Sequence, residues 1–197
     1  QNSGREIVLV TSGAIGVGVG KLGLSERPRE TEKRQAVAAV GQCELMFIYD
    51  KFFGEYNRTV AQILLTGDVL TNEHARKNTQ NTFGELIGMD IIPIVNENDT
   101  VVVDELVGCQ IGDNDTLSAV VAKLIGADLL LILTDIDGLY DRNPAADPGA
   151  KRIPCVPEVT DAVRALAGGA GSRRGTGGMR TKVEAAASVN EAGIACC

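Results

Sequence analysis

Residues 91–116 read IIPIVNENDTVVVDELVGCQIGDNDT. The apolar run 91–95 has the length and branching of a buried strand and ends directly in Asn96-Glu97-Asn98-Asp99. A second extended piece is expected over 101–107, with a short return through Cys109 to Ile111. Gly112-Asp113-Asn114-Asp115 then stands immediately before a helical pattern. Two clusters of short acids and amides therefore fall at the ends of two elements. Holding such groups together costs free energy unless something binds them, and a ligand with a positive group and several hydrogen-bonding atoms would do so. Asn and Asp are equally at home in turns and as helix N-caps, so turn chemistry is the competing reading.

Outward from that stretch, strands and helices alternate. Residues 6–10, 59–66 and 129–133 read as strands. Residues 30–53 carry a helical pattern, with Ala36, Val37, Val40, Leu45, Ile48, Tyr49 and Phe52 on the apolar side, as one long helix or two joined near Gly41. A turn is expected over 67–71. Asn72 is placed to cap a helix running to about Gly88. Further helices are expected over 117–127, 159–166 and 183–192, with a Pro-, Gly- and Asp-rich surface excursion over 142–157. The final residues read as a helix end entering a strand. This order predicts an α/β fold, a mainly parallel sheet with helices on both faces, in a single domain spanning 1–197. Elements are expected to be missing at both ends, because the chain starts at Gln1 inside a loop and stops at Cys197 inside a strand.

Composition narrows the function classes. The chain has 197 residues, 44% hydrophobic, with 4% aromatic, no Trp, 23 Gly and a net charge of −7, so a globally basic nucleic-acid surface is absent. Five cysteines without a C-x-x-C pair, and the lone His74, make a zinc site a poor reading and suggest a reduced, cytoplasmic setting; His74 is expected at the surface. No apolar run approaches a membrane span. No protein metal site is predicted; the acids at Asp135, Asp137 and Asp141 lack the spacing and terminal Glu of a calcium loop.

Two glycine-rich turns are candidates for anion binding. The first follows the strand at 6–10 and reads Thr11-Ser12-Gly13. Ser12 suits either a ligand contact or an N-cap. Gly18–Gly23 matches G-x-G-x-x-G, but the match begins well past the strand end, and Gly20-Lys21-Leu22 is not a P-loop. The second turn, 168–178, leads at once into Met179-Arg180-Thr181-Lys182 and a helix. Lysine in a first helical turn opposes the helix dipole, and a polyphosphate there would relieve it. In a parallel sheet the strand-to-helix turns at 11–20, 96–99, 112–115, 134–138 and 175–182 share one edge. That suggests transfer between a small polar metabolite and a nucleotide.

VTSGAIGVG, PIVNENDTV, GDNDTLSA, LLILTDIDGLY and GTGGMRTK, in this order, resemble the glutamate 5-kinases of the amino acid kinase family. The resemblance runs along practically the whole chain. It implies a three-layer α/β/α amino acid kinase fold, lacking here its first strand and last strands and without the RNA-binding-like C-terminal domain of some members. It implies a cytoplasmic transferase that phosphorylates the γ-carboxylate of L-glutamate with ATP, the first step of proline biosynthesis, with magnesium carried by the nucleotide. By position, Ser12, Asp99 and Asn114 would bind glutamate, Asp99 receiving the α-ammonium. Thr134, Asp135, Thr176, Gly177, Gly178, Met179, Arg180, Thr181 and Lys182 would contact ATP. Lys182 would also stabilise the transferred phosphoryl group, and Asp113 would position the catalytic lysines. Proline feedback inhibition and a homo-oligomer, dimer or tetramer, through helices near 30–90 are further implications, with no nucleic-acid or membrane partner. The family's first-strand lysine has no counterpart among Lys21, Lys33 and Lys51, which predicts impaired activity for the chain as given. Two other readings stay open: a sibling kinase acting on another carboxylate, and a non-catalytic glutamate- or proline-binding regulatory module.

Overall fold

The computed structural model describes residues 4–101, 111, 113–168 and 178–197. The chain forms two compact units, Gln1–Ile111 and Gly112–Cys197.

In the first unit the central strand is the one the sequence marks most strongly. The order is β1 (Leu9–Val10), α1 (Ala14–Lys21), α2 (Thr31–Gly54), β2 (Val60–Leu65), α3 (Asp68–Thr71), α4 (Glu73–Gly88) and β3 (Ile92–Glu97). β3 lies between β1 and β2, parallel to both, with Val10 opposite Val95 and Ile63 on its other side. Ile94 and Val95 are fully buried. Removing such side chains from water stabilises by roughly 1.5–3 kcal/mol each. The strand runs two residues further than its apolar run, so that Asn96 and Glu97 belong to the sheet. α2 is one unbroken helix of 24 residues, and Gly41 does not interrupt it.

Gly41 has another purpose. A Cβ there would stand 1.7 Å from the Ala14 carbonyl oxygen, and one on Gly18 would stand 2.1 Å from the Val37 carbonyl oxygen. α1 and α2 thus meet backbone to backbone, sealed by Ile15, Val37 and Ala38 with Val19 against them. The expected turn at 67–71 is a short helix, α3. Asn72 caps α4 as expected, its Oδ1 accepting from the amides of His74 and Ala75 at 3.0 and 3.1 Å. His74 is exposed.

The second unit holds α5 (Asn114–Ile125), β4 (Leu129–Leu130), α6 (Asp161–Leu166), α7 (Met179–Asn190) and β5 (Ala195–Cys196). β4 and β5 pair in parallel, continued by Ile132 N–H to the Cys197 carbonyl at 2.8 Å. α5 and α7 pack through Ala119, Ala122, Ala185 and Val189 onto Leu130 and Ile194. Residues 129–133 are expected to be a wholly buried strand, and here the structure differs. Leu130 and Ile132 pack on that core while Leu129, Leu131 and Leu133 are exposed. Strand alternation puts successive side chains on opposite faces, and within this unit only one face meets a helix core. The surface excursion folds back once, where Tyr140 and Arg152 form an antiparallel bridge. The expected extended pieces over 101–107 and at Cys109 lie outside the described residues, apart from Val101. Every strand pair named is parallel and helices connect them, so the chain is α/β. No helix among the described residues is long and apolar enough to cross a membrane.

Candidate functional site

The sequence-predicted site residues fall into two groups, one in each unit. In the first, Thr11 follows β1, and its N–H donates to the Val95 carbonyl at 2.8 Å. Its hydroxyl sits 2.6 Å from the Tyr49 hydroxyl. Ser12 is exposed and is not the N-cap of α1. That place belongs to Gly13, in the left-handed region at φ 98°, with no side-chain cap. The capping explanation of Ser12 therefore falls away, because glycine takes the turn that serine would strain.

Across the sheet, Asn96 is buried and doubly held. Its Oδ1 accepts from the Glu97 N–H at 2.9 Å, and its Nδ2 donates to Gln42 Oε1 at 2.9 Å. The Asn98 N–H returns to the Leu65 carbonyl at 2.8 Å, and Asn98 Oδ1 accepts from Thr100 Oγ1 at 2.6 Å. These bonds fix the turn that carries Asp99. Asp99 is partly buried, and burial pushes its carboxyl above the usual carboxylate range, opposed by the positive charges of Arg34 and Arg27. A desolvated acid of this kind gains from a ligand cation.

In the second unit, two helix starts meet. Asp113 is the N-cap of α5; its carboxylate accepts from the Thr116 N–H and the Thr116 hydroxyl, both at 2.9 Å. Asn114 opens the helix, partly buried. Lys182, expected to answer to Asp113, is held instead by Asp115, with Nζ 3.0 and 3.2 Å from the two carboxylate oxygens. Thr181 Oγ1 donates to the same carboxylate at 2.6 Å and accepts from the Gly178 N–H at 3.2 Å. The ion pair is largely shielded, its side chains 22% and 16% exposed. The physical reason is helical phase. One capping residue turns its carboxylate back to the third amide, while the residue two further on projects sideways to the neighbouring helix. Asp115 is the residue that motif reading missed; its place in the first turn of the helix was the available signal.

Met179 and Arg180 stand in the first turn of α7 behind Gly178. Thr176 and Gly177 lie outside the described residues. Thr134 and Asp135 are exposed just beyond β4, where the threonine hydroxyl reaches the aspartate at 3.4 Å. Asp137 accepts from the Tyr140 hydroxyl at 2.7 Å, a bond that raises the tyrosine's pKa. Among the described residues no group of three His, Cys, Asp or Glu comes together to hold a metal.

An acid-held lysine at paired helix starts, in a parallel α/β chain, suits an anion that carries several negative charges. The amino acid kinase family model matches residues 1–197. This chain belongs to the amino acid kinase family. It is 56% identical over 194 residues to a protein named glutamate 5-kinase from Clostridium perfringens (strain 13 / Type A), covering 98% of this chain and 72% of that one. It is 55% identical over 193 residues to the glutamate 5-kinase of Clostridium acetobutylicum, covering 98% and 71%. Among solved structures, the carbamate kinase from Giardia lamblia bound to AMP-PNP matches 97% of this chain and 75% of its own, with a TM-score of 0.59 at 18% identity. That likeness shows that the amino acid kinase fold is shared.

Proposed function

We propose that this amino acid kinase transfers the γ-phosphoryl group of ATP to the γ-carboxylate of L-glutamate, giving L-glutamyl 5-phosphate, the first step of proline biosynthesis. The choice of glutamate rests on the name carried by relatives 55% and 56% identical over 98% of the chain. The phosphoryl-transfer chemistry rests above all on the contact between Lys182 and Asp115.

The steps follow from charge. A glutamate carboxylate oxygen attacks the γ-phosphorus; the new O–P bond forms as the bond to the bridging oxygen breaks, and ADP leaves with that electron pair. A carboxylate is already ionised at neutral pH, so no general base is required and catalysis consists of positioning and charge stabilisation. Lys182 supplies positive charge to the phosphoryl oxygens. Asp115, itself held by the Thr181 hydroxyl, keeps it in one place, which removes the entropy a free lysine would lose on binding. Magnesium carried on the nucleotide would neutralise phosphate charge. Thr134 and Asp135 contact the nucleotide, with Gly178, Met179, Arg180 and Thr181 presenting the start of α7. In the first unit, Asp99 takes the α-ammonium of glutamate and Ser12 donates to a carboxylate; in the second, Asn114 offers an amide to a carboxylate. The enzyme works in the cytoplasm as a homo-oligomer, with proline as feedback inhibitor.

The test is ADP release measured with and without L-glutamate. Glutamate-dependent release, lost by roughly a thousandfold in Lys182→Ala with a smaller change in the KM for ATP, is expected. Release that ignores glutamate, or an aspartate preference in a substrate panel, would sink the assignment.

A further inference from the structure

Two buried side-chain nitrogens, Arg34 Nε and Gln42 Nε2, have no hydrogen-bond acceptor among the described residues. Both stand on α2, about two turns apart and within one stripe of the helix. A buried donor left unpaired is costly, so two on one helix stripe need an explanation.

The Gln42 amide is oriented by a chain of bonds that starts at the backbone. The Glu97 N–H can only donate, so the Asn96 atom 2.9 Å away is its oxygen. Asn96 therefore turns its amide nitrogen to Gln42, and the Gln42 atom that receives it at 2.9 Å is its oxygen. Gln42 Nε2 is left on the far side from Asn96. Gln42 thus spends its oxygen on locking the end of β3, three residues before Asp99.

Arg34 is different, because it is charged and only partly buried. No carboxylate among the described residues closes an ion pair with it. Its charge is nevertheless felt at Asp99, together with that of Arg27. An acid that suits an ammonium, near a guanidinium that lacks a carboxylate, is the charge pattern of a zwitterion with the signs reversed.

We propose that Arg34 receives the α-carboxylate of the amino-acid substrate, while Gln42 acts as a positioning residue that locks Asn96 and with it the turn bearing Asp99. This rests on the amino-acid kinase function proposed above. The α-carboxylate is the choice over the γ because a guanidinium gripping the attacking carboxylate would draw charge from the nucleophile. Arginine fits the task by geometry, offering a planar fork that matches both carboxylate oxygens.

Calorimetric titration with L-glutamate and with its α-amide separates the two ligand groups. The unaltered protein is expected to bind L-glutamate more tightly. Arg34→Gln weakens L-glutamate by roughly 30-fold and leaves the α-amide within about twofold, so the preference disappears. Arg34→Lys restores part of the loss, since charge returns without the fork. The melting temperature holds in both variants, and the affinity for a non-hydrolysable ATP analogue does not move. An equal loss for both ligands, or unchanged L-glutamate affinity, overturns the role of Arg34. If the unaltered protein ignores L-glutamate but binds another amino acid, the glutamate assignment fails alone, and the same comparison is read on that amino acid and its α-amide. If it binds no amino acid, both fail together.

Discussion

At the end of β3, in the first unit, polar groups stand with bonds unmade. Asp99 is held in a desolvated place with its pKa raised, and Arg34 Nε and Gln42 Nε2 lack acceptors among the described residues. At the start of α5 and α7, in the second unit, the polar groups are closed upon one another: Asp113 with Thr116, and Asp115 with Lys182 and Thr181. Under the proposed function, the first arrangement leaves its polar groups open to a small zwitterion. The second is satisfied beforehand, which favours a fixed cation and fast charge stabilisation with little reorganisation.

After Lys182→Ala, the largest expected effect tests the closed arrangement. Asp115→Asn keeps the size of the side chain but releases the lysine from its counter-charge, and kcat should fall about 100-fold. Asp113→Asn retains a good N-cap and should cost less than about fivefold. If steady-state kinetics ranked the two the other way, Asp113 would be the residue that governs the lysine.

Next in size is the scaffold beneath the open arrangement. Gly41→Ala sets a methyl group against the Ala14 carbonyl, 1.7 Å from where its carbon would sit. The α1–α2 pair must separate, at about 2 kcal/mol in urea unfolding. A loss below 1 kcal/mol would mean that the two helices are free to shift.

The smallest effect is the pH response of Asp99. Burial raises its folded-state pKa above the ordinary value for an aspartate, so the folded protein binds that proton more tightly than the unfolded chain does. Stability from this group therefore declines as pH rises from the unfolded value through the folded one. Glutamate binding runs the opposite way, because the ammonium needs the ionised acid: affinity should fall as pH is lowered toward the raised pKa. Asp99→Asn should abolish both slopes. A binding profile with the same acid limb in Asp99→Asn would place the titrating group elsewhere.

Much of this was legible beforehand. The apolar run at 91–95, the Asn72 cap, the α5 and α7 patterns and the family motifs are local signals, and local signals survive in any tertiary context that buries one face. The run at 129–133 misled, since five consecutive apolar residues do not say how many faces are covered; Leu129, Leu131 and Leu133 are exposed in the structure. Gly18 and Gly41 carried no local signal of their role, because a close approach belongs to the partner helix as much as to the glycine.

The sequence by itself determined the alternation of strands and helices, the family, and the set of acids, amides and lysine from which a site could be drawn. It determined them because hydrophobic period, turn chemistry and motif order are properties of neighbours along the chain. Only the tertiary structure decided that Asp115 rather than Asp113 meets Lys182, that Gly13 and not Ser12 caps α1, and that Arg34 Nε and Gln42 Nε2 are left without acceptors among the described residues. Each of those depends on helical phase or on a partner distant in sequence. A residue step turns a helix side chain by about 100°, so two acids of the same kind two residues apart meet different neighbours.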